Sequence, residues 1–297
     1  EMVCECINSI LKSTYQNLEI IVVDNHSDDD TIEMLQTKYN KNDKIIVIAL
    51  KENLMASGGR NEGIKHASGK YLLFVDNDNI VDERMIEILV NAMEEDISIG
   101  LVGPISINQR QGEAIWLASG DYNFFTSRPK TLFAGKRIDE VKLEKRYSTC
   151  YSPNVMMISR NAINKVGGFD KSYYAMYEEA DIGYRILKAG FKEYIVTDAR
   201  TFHMYFVNKG EQDRLRVEGI GFPLRAYHFA KNRSVFMKKY AKWYQLVVFY
   251  VFFFNIFVVY YTLLALRFKR KDIALAWLRG SFKGLFIKTE KIVKIEI

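Results

Sequence analysis

The sequence is poor in residues that staple, break or loosen a chain: three cysteines, four prolines and 18 glycines in 297 residues. That composition excludes a disulfide scaffold, a collagen-like repeat and a wholly disordered chain. Cys4 and Cys6 lie two apart on an expected helix, so they project about 200° apart and cannot share a metal. With Cys150 they read as buried small hydrophobes of a reducing compartment. No long apolar run follows the acidic start (Glu1, Glu5), so no signal peptide is expected. Charge nearly balances overall, at +6, but not along the chain. Residues 225–297 hold 15 Lys/Arg against 3 Asp/Glu, leaving 27 against 33 in residues 1–224. An acidic body carries a basic tail. Because that tail also holds a long aromatic-aliphatic run, it suits an anionic membrane surface better than nucleic acid.

Helix-period and strand-period segments alternate through the body. Val3, Cys6, Ile7, Ile10 and Leu11 repeat at helical spacing, and Leu18–Val23 is a continuous apolar run ending in Asp24, as for a parallel strand buried on both faces. Asp30 or Thr31 is placed to cap a short helix through Tyr39. Ile45–Leu50 reads as a second buried strand, Gly59–Ala67 as a helix and Tyr71–Val75 as a third strand. Asp82 is expected to cap a helix carrying Met85, Ile86, Leu89, Val90 and Met93, before a strand at Ile99–Val102. Residues 105–150 show weak periodicity and read as an insertion with short strands. Pattern returns with a strand at Asn154–Ile158, a Ser159-capped helix to Val166, a helix at Glu178–Ala189 and a strand at Tyr194–Thr197. This alternation implies a doubly wound α/β sheet, whose ligands bind beyond the carboxyl ends of its strands.

Four clusters sit at such positions. Asp76-Asn77-Asp78 offers two carboxylates to a hard divalent cation, although a plain Asx-rich turn has the same sequence. Asp24 ends its strand where it can accept from a base or ribose hydroxyl, while Asp28–Asp30 read as caps for the next helix. In Asn53…Gly58-Gly59-Arg60-Asn61, glycines before a helix let the backbone approach an anion that Arg60 can neutralise; no Walker or dinucleotide fingerprint is present. Finally, Glu178-Glu179-Ala180-Asp181 opens a helix behind the aromatic stretch Tyr173–Tyr177. Three acids there complement the helix dipole, and a carboxylate in a partly apolar cleft also makes a general base. His203 alone reads as structural more often than as a ligand.

In this order and spacing, the set resembles the family 2 glycosyltransferases of the GT-A fold, closest to the rhamnosyltransferase-like branch. Cys6…Leu18-Glu-Ile-Ile-Val-Val-Asp24 is similar to that family's opening helix and nucleotide-binding strand. Asp76-Asn77-Asp78 falls on its Asp-x-Asp, Val166-Gly-Gly-Phe-Asp170…Glu178-Glu179-Ala-Asp181 on its Gly-Gly-Phe-Asp…Glu-Asp-x-Asp, and Asp198-Ala-Arg-Thr-Phe-His203 on its Asp-Ala-Arg…His. The resemblance covers about residues 3–205. It implies a mixed GT-A sheet over residues 1–224 and an inverting transfer from a nucleoside-diphosphate sugar to a glycan or lipid-linked acceptor. Asp76, Asp78 and His203 would hold Mg²⁺ or Mn²⁺; Asp24, Asn53, Arg60 and Asp76 would bind the donor. Glu179, flanked by the alternatives Glu178 and Asp181, would be the base, although the family usually has Asp where Glu179 stands. The resemblance also implies a strand and base-contacting loop upstream, so the sequence reads as a fragment lacking its first strand.

In residues 225–297, Trp243–Leu266 is interrupted only by Gln245, Asn255 and Thr262, long enough to span a bilayer. Lys231, Arg233, Lys238, Lys239 and Lys242 precede it; Arg267, Lys269, Arg270, Lys271, Arg279 and Lys283 follow. With no charge asymmetry, an in-plane or re-entrant helix on the cytoplasmic face of the cell membrane is an alternative to a span, and an ordinary buried helix pair is a third reading. The rival functions are a sugar-phosphate nucleotidyltransferase, which should show a Gly-rich loop after its first strand, and a catalytically dead scaffold on the same fold.

Overall fold

The computed structural model describes residues 2–108, 114–204, 212–289 and 295. The first half follows the period of its apolar residues: α1 (Met2–Leu11), β1 (Ile20–Asp24), α2 (Thr31–Tyr39), β2 (Ile45–Ala49), α3 (Met55–His66), β3 (Tyr71–Val75), β4 (Asn79–Val81), α4 (Met85–Glu95) and β5 (Ile99–Asn108). Four short strands follow, β6 (Ala114–Leu117), β7 (Gly120–Asn123), β8 (Arg128–Thr131) and β9 (Arg146–Ser148). Then come β10 (Val155–Ser159), α5 (Arg160–Val166), α6 (Glu178–Lys188) and β11 (Lys192–His203). Ser159 caps α5 as expected, its hydroxyl accepting from the Ala162 N–H at 3.2 Å. Gly190, at φ +93°, ends the turn after α6, where a Cβ would be strained.

The core sheet is mixed, in the order β3-β10-β5-β11-β4, with β6 on β5 and β9 on β11. Only the β5–β11 pair of that central path is parallel. Helix α4 packs Met85, Leu89 and Met93 on one face against Val102, Val155 and Val196, and α5 with α6 covers the other through Ile163, Val166 and Ile182. Strand β5 runs to Asn108, beyond the expected end at Val102, because Ile105, Ser106 and Ile107 are all buried between sheet neighbours.

β1 and β2 form a separate parallel pair. Neither is a strand buried on both faces: β1 is fully buried only at Ile20 and Asp24, and no residue of β2 is fully buried. β1 borders a cavity of about 1450 Å³ shared with β3 and lined by Cys6, Ile10, Val22, Leu73, Asp76 and Ile86 among others, whereas β2, which does not line it, is paired only on its β1 side among the described residues. Among the described residues, β1 pairs only with β2 and β3 only with β10. The inner strand implied by the family resemblance therefore has no counterpart between them.

After α7 (Gln212–Val217) comes α8 (Pro223–Tyr240), then α9 (Trp243–Val248), a π-helical turn over Phe249–Phe253, α10 (Phe254–Arg267) and α11 (Lys271–Phe286). α8, α10 and α11 pack around Ala230, Tyr261, Ala265, Ile273 and Trp277.

Candidate active site

Asp24, Arg60, Asp76 and Asp78 line the large cavity. Asp24 is buried at the end of β1, and both its oxygens accept from Ser27, one from the backbone N–H at 3.0 Å and one from the hydroxyl. Asn25 bridges β1 to the start of α3: its amide accepts from Leu54 N–H (2.8 Å) and donates to the Met55 carbonyl (2.9 Å). Gly59 makes that approach possible, since a Cβ there would lie 3.2 Å from Asn25 Nδ2. Asn53, expected at the donor, is instead exposed and accepts from Met55 N–H (2.9 Å). It shapes the turn into α3, outside the cavity lining.

The centre of the site is a cation among three acids. The Arg60 guanidinium lies 2.8 Å from Asp76 Oδ1, 2.8 Å from Glu179 Oε1 and 3.2 Å from Glu178 Oε1. Its face rests over Phe169 at 5.3 Å. Asn61, one residue on, exchanges two hydrogen bonds with the Phe169 backbone and so fixes the Gly167-Gly168-Phe169 loop to α3. Burial alone would lower the Arg60 pKa, but the charges of Asp76, Glu179 and Glu178 more than offset it and leave it raised. Burial raises Glu178, whose second carboxylate oxygen has no partner. Burial also pushes Glu179 up to about 7, with Glu178 and Asp76 adding to the rise and Arg60 opposing it.

Strained backbone holds these acids. Tyr174, Met176 and Tyr177, all at φ between 66° and 75°, lead into α6, and Asn154 sits at φ 65°. Non-glycine residues in this region cost about 1–3 kcal/mol each and persist only when their surroundings over-determine them. Here Asn232 of α8, fully buried, donates to the carbonyls of Tyr173, Ala175 and Met176 at 2.6–2.9 Å. The Lys231 ammonium donates to Ser172 O. The Asn154 N–H donates to Glu179 at 3.1 Å, and its carbonyl accepts from Asp76 N–H at 2.9 Å.

Asp181 is corrected as a candidate base. It is wholly buried: Arg185 (2.9 Å) holds one oxygen, and Lys239 (2.7 Å) and Tyr240 (2.8 Å) hold the other. It anchors α6 to α8, out of reach of a substrate. Lys239 also pairs with Asp170 at 2.8 Å.

Antiparallel pairing of β11 with β4 sets His203 opposite Asn79 and hence beside Asp78. His203 Nε2 lies 3.2 Å from Asp78 Oδ2, and its ring stacks on Trp116. Among the described residues no group of three or more His, Cys, Asp and Glu side chains is gathered to hold an ion. The pair Asp78 and His203 nevertheless supplies one oxygen and one nitrogen donor at the cleft. That set suits a cation completing its coordination with phosphate oxygens and water. Cys6 is no rival ligand: burial, then the Asp78 and Asp76 charges, push its thiol up to about 12. All three cysteines are buried and free, as read from the sequence.

The sequence reading missed Asn25, Asn154, Asn232, Lys239 and Trp116. It also misassigned part of the basic tail. Lys231, Arg233 and Lys239 are buried, and Lys238 donates to the carbonyls of Gly284, Leu285 and Ile287. Arg233 sits among Phe229, Phe257, Tyr261 and Trp277. None of these four is a free membrane flank.

Comparison with known proteins places the geometry. Residues 1–167 match the family described as glycosyl transferase family 2. Glycosyltransferase GlyG of Streptococcus pneumoniae serotype 4 is 39% identical over 99 residues, 32% of this chain and 33% of that protein. Glycosyltransferase GlyA of the same organism is 26% identical over 220 residues, 72% of this chain and 30% of that protein. The chain thus spans a third or less of these relatives' lengths. In fold it is similar to GalNAc-T7 solved with UDP, GalNAc and Mn²⁺: TM-score 0.57 at 20% identity, over 77% of this chain and 47% of that one.

Proposed function

The chain belongs to glycosyl transferase family 2, and from that premise we propose that it moves a sugar from a nucleoside diphosphate to a hydroxyl of a glycan or lipid-linked acceptor, with inversion. The observation that carries the reading is Glu179: a half-buried carboxylate fixed by Asn154 and by the cavity-lining Arg60, with its pKa pushed up to about 7. A base titrating near neutrality is matched to removing a hydroxyl proton. Glu179 takes that proton as the acceptor oxygen attacks the anomeric carbon. The bond from that carbon to the diphosphate breaks with its electron pair leaving on the phosphate oxygen. Glu178 lies too deep to meet the acceptor directly, at 6% exposure, and raises the basicity of its neighbour by its charge.

Arg60 lines the cavity beside Asp76 and can add positive charge to a donor diphosphate. Asp24, which lines the same cavity at the end of β1, is placed for the nucleoside. Asp78 and His203, with the open oxygen of Asp76, would hold Mg²⁺ or Mn²⁺, which when bound neutralises charge on the leaving diphosphate. UDP and Mn²⁺ in the GalNAc-T7 structure support a nucleotide-sugar donor and a divalent ion for this fold. The nucleotidyltransferase reading has no support from the family match. A dead scaffold would have no reason to keep a half-buried carboxylate under strain.

The acceptor reading rests on the tail. Trp243–Arg267 forms one 25-residue helical stretch whose most apolar 18-residue window has a mean hydropathy of 2.2. Val247, Val251, Ile256, Val259 and Leu263 are exposed along it, as are Leu278 and Phe282 of α11. Lys242, Arg267, Lys269, Lys271, Arg279 and Lys283 are exposed around that face. An apolar face with a basic rim fits an anionic bilayer surface, at the cytoplasmic face where nucleotide sugars are available. The test is a panel of nucleoside-diphosphate sugars screened for hydrolysis with and without Mn²⁺. Turnover of one donor is expected, and hydrolysis of none would overturn the reading.

A further inference from the structure

Trp116 is the extra residue of a β-bulge. Strand β6 pairs Leu117 with Ser106 and Ile115 with Ile107, so Trp116 lies between two partners with no counterpart of its own. Bulges re-aim side chains and concentrate beside active sites. Ile115 and Leu117 are buried at 1% and 2%, whereas Trp116 keeps 39% of its surface exposed. One exposed tryptophan is ordinary by itself. This one is not placed at random: its indole lies parallel to the His203 imidazole, with centroids 5.0 Å apart and planes at 11°. That imidazole presents Nε2 to Asp78 at 3.2 Å. The bulge thus sets an open aromatic surface one ring away from the carboxylate proposed to face the donor diphosphate.

We infer that Trp116 is the platform for the transferred sugar of the donor, its indole taking the C–H face of a pyranose ring. The inference rests on the glycosyl-transfer reading of the same site and names its sugar subsite. Three features place the donor's sugar ring on this indole. The sugar is bonded directly to the diphosphate, so its ring must lie next to the group that Asp78 and His203 face. A pyranose has an apolar C–H face that an indole can cover while its hydroxyls stay with polar groups and water, the usual division of labour in ligand pockets. Finally, Glu179, where the acceptor hydroxyl must approach, belongs to the Arg60 cluster, whereas Trp116 belongs to the His203 side.

The test measures binding to the full chain in Mn²⁺ of UDP-N-acetylglucosamine and dTDP-rhamnose, each against its sugar-free diphosphate, UDP or dTDP. Wild type, Trp116→Phe and Trp116→Ala are compared. Stacking of this size corresponds to about tenfold in affinity. Trp116→Ala should weaken the nucleotide sugar by about that factor and leave the bare diphosphate unchanged, and Trp116→Phe should retain most of the affinity. Equal weakening of sugar and bare diphosphate would show that the indole acts only through His203, and overturns the inference. Unchanged binding of both overturns it too. A wild type that binds neither nucleotide sugar nor diphosphate removes the glycosyl-transfer reading and the inference with it. Normal wild-type binding with an unaffected Trp116→Ala removes the inference alone. Unfolding midpoints of the variants, expected within about 2 °C of wild type for so exposed a side chain, guard against misfolding.

Discussion

Replacing Glu179 by Gln separates what the carboxylate contributes to catalysis from what it costs the fold. Its pKa stands at about 7 in the folded chain against the usual 4.5. A carboxylate raised on folding contributes its full stability below pH 4.5, as the protonated form, and loses it as pH rises through about 7. Worked through linkage, the penalty is about 1 kcal/mol at pH 5 and about 3 kcal/mol at pH 8. Glutamine carries no such titration. Its effect on the Arg60 and Asn154 contacts is a constant offset, and Arg60 keeps Asp76 and Glu178.

The stability of Glu179→Gln relative to wild type should therefore rise by about 2.5 kcal/mol between pH 5 and pH 8. With unfolding entropy near 2.1 cal/mol/K per residue, that is about 4 °C of relative shift in unfolding midpoint. Thermal unfolding at both pH values reads it. In parallel, turnover should fall by about 10²–10⁴, the usual worth of a general base, with donor binding retained. The wild-type kcat/KM profile should lose activity as pH falls through about 7. A midpoint difference that does not change with pH would refute the buried-charge argument. Near-normal turnover would remove Glu179 as base.

Three further outcomes are expected. Asp78→Ala should lose the Mn²⁺-dependent part of donor binding in calorimetry while nearly keeping its unfolding midpoint, since the side chain is half-exposed at a turn, outside the apolar clusters, and gives up only its contacts with Asn79 and His203; equal binding with and without Mn²⁺ in wild type would refute the metal assignment. Asp181→Asn leaves Lys239 and Arg185 short of a buried partner and should destabilise by about 3–5 kcal/mol, yet leave the acid limb of the pH–rate profile in place; a moved limb would return Asp181 to the list of bases. Lys269→Glu, Lys271→Glu and Lys283→Glu combined should weaken sedimentation with phosphatidylglycerol vesicles by about 100-fold or more, at roughly 1 kcal/mol per basic residue, and unchanged sedimentation would refute the basic-rim argument.

The elements were legible wherever burial imposes a period: α1, α4, β3 and β10 stand where their apolar residues repeat. β5 ran past its expected end because Ile105 and Ile107 look like the start of an irregular insertion until β6 and β11 are known to flank them. The acids were legible as motifs, but their grouping was not. Arg60 meets Glu178 and Glu179 across more than a hundred residues, and nothing local distinguishes Glu179, half-buried against the cavity-lining Arg60, from Asp181, two residues onward and wholly buried. Asn53 fits the same motif spacing as Arg60, yet the left-handed Met55 at φ 56° turns it outward. Trp116 lies where periodicity is weakest, and only the pairing register reveals that it is bulged.

The basic tail shows why a charge count cannot stand for a surface. Counting Lys and Arg in residues 225–297 treats them as one population facing one partner, but the fold divides them by helix. Three of those on α8 are buried: Lys239 neutralises Asp170 and Asp181, Lys231 holds the Ser172 carbonyl, and Arg233 lies among four aromatic rings, whereas Arg225 at its start is exposed. Their neighbour Asn232 clamps the strained turn that delivers Glu178 and Glu179. α8 therefore supports the turn that carries the proposed base, whatever lies beneath α10. Among the described residues, Lys269, Lys271, Arg279 and Lys283 are exposed, and Arg270 pairs with Asp272 at 2.6 Å. The proposed attraction to an anionic surface thus rests on the exposed bases alone, while the buried ones tie the segment carrying the apolar helix to the turn that holds Glu178 and Glu179.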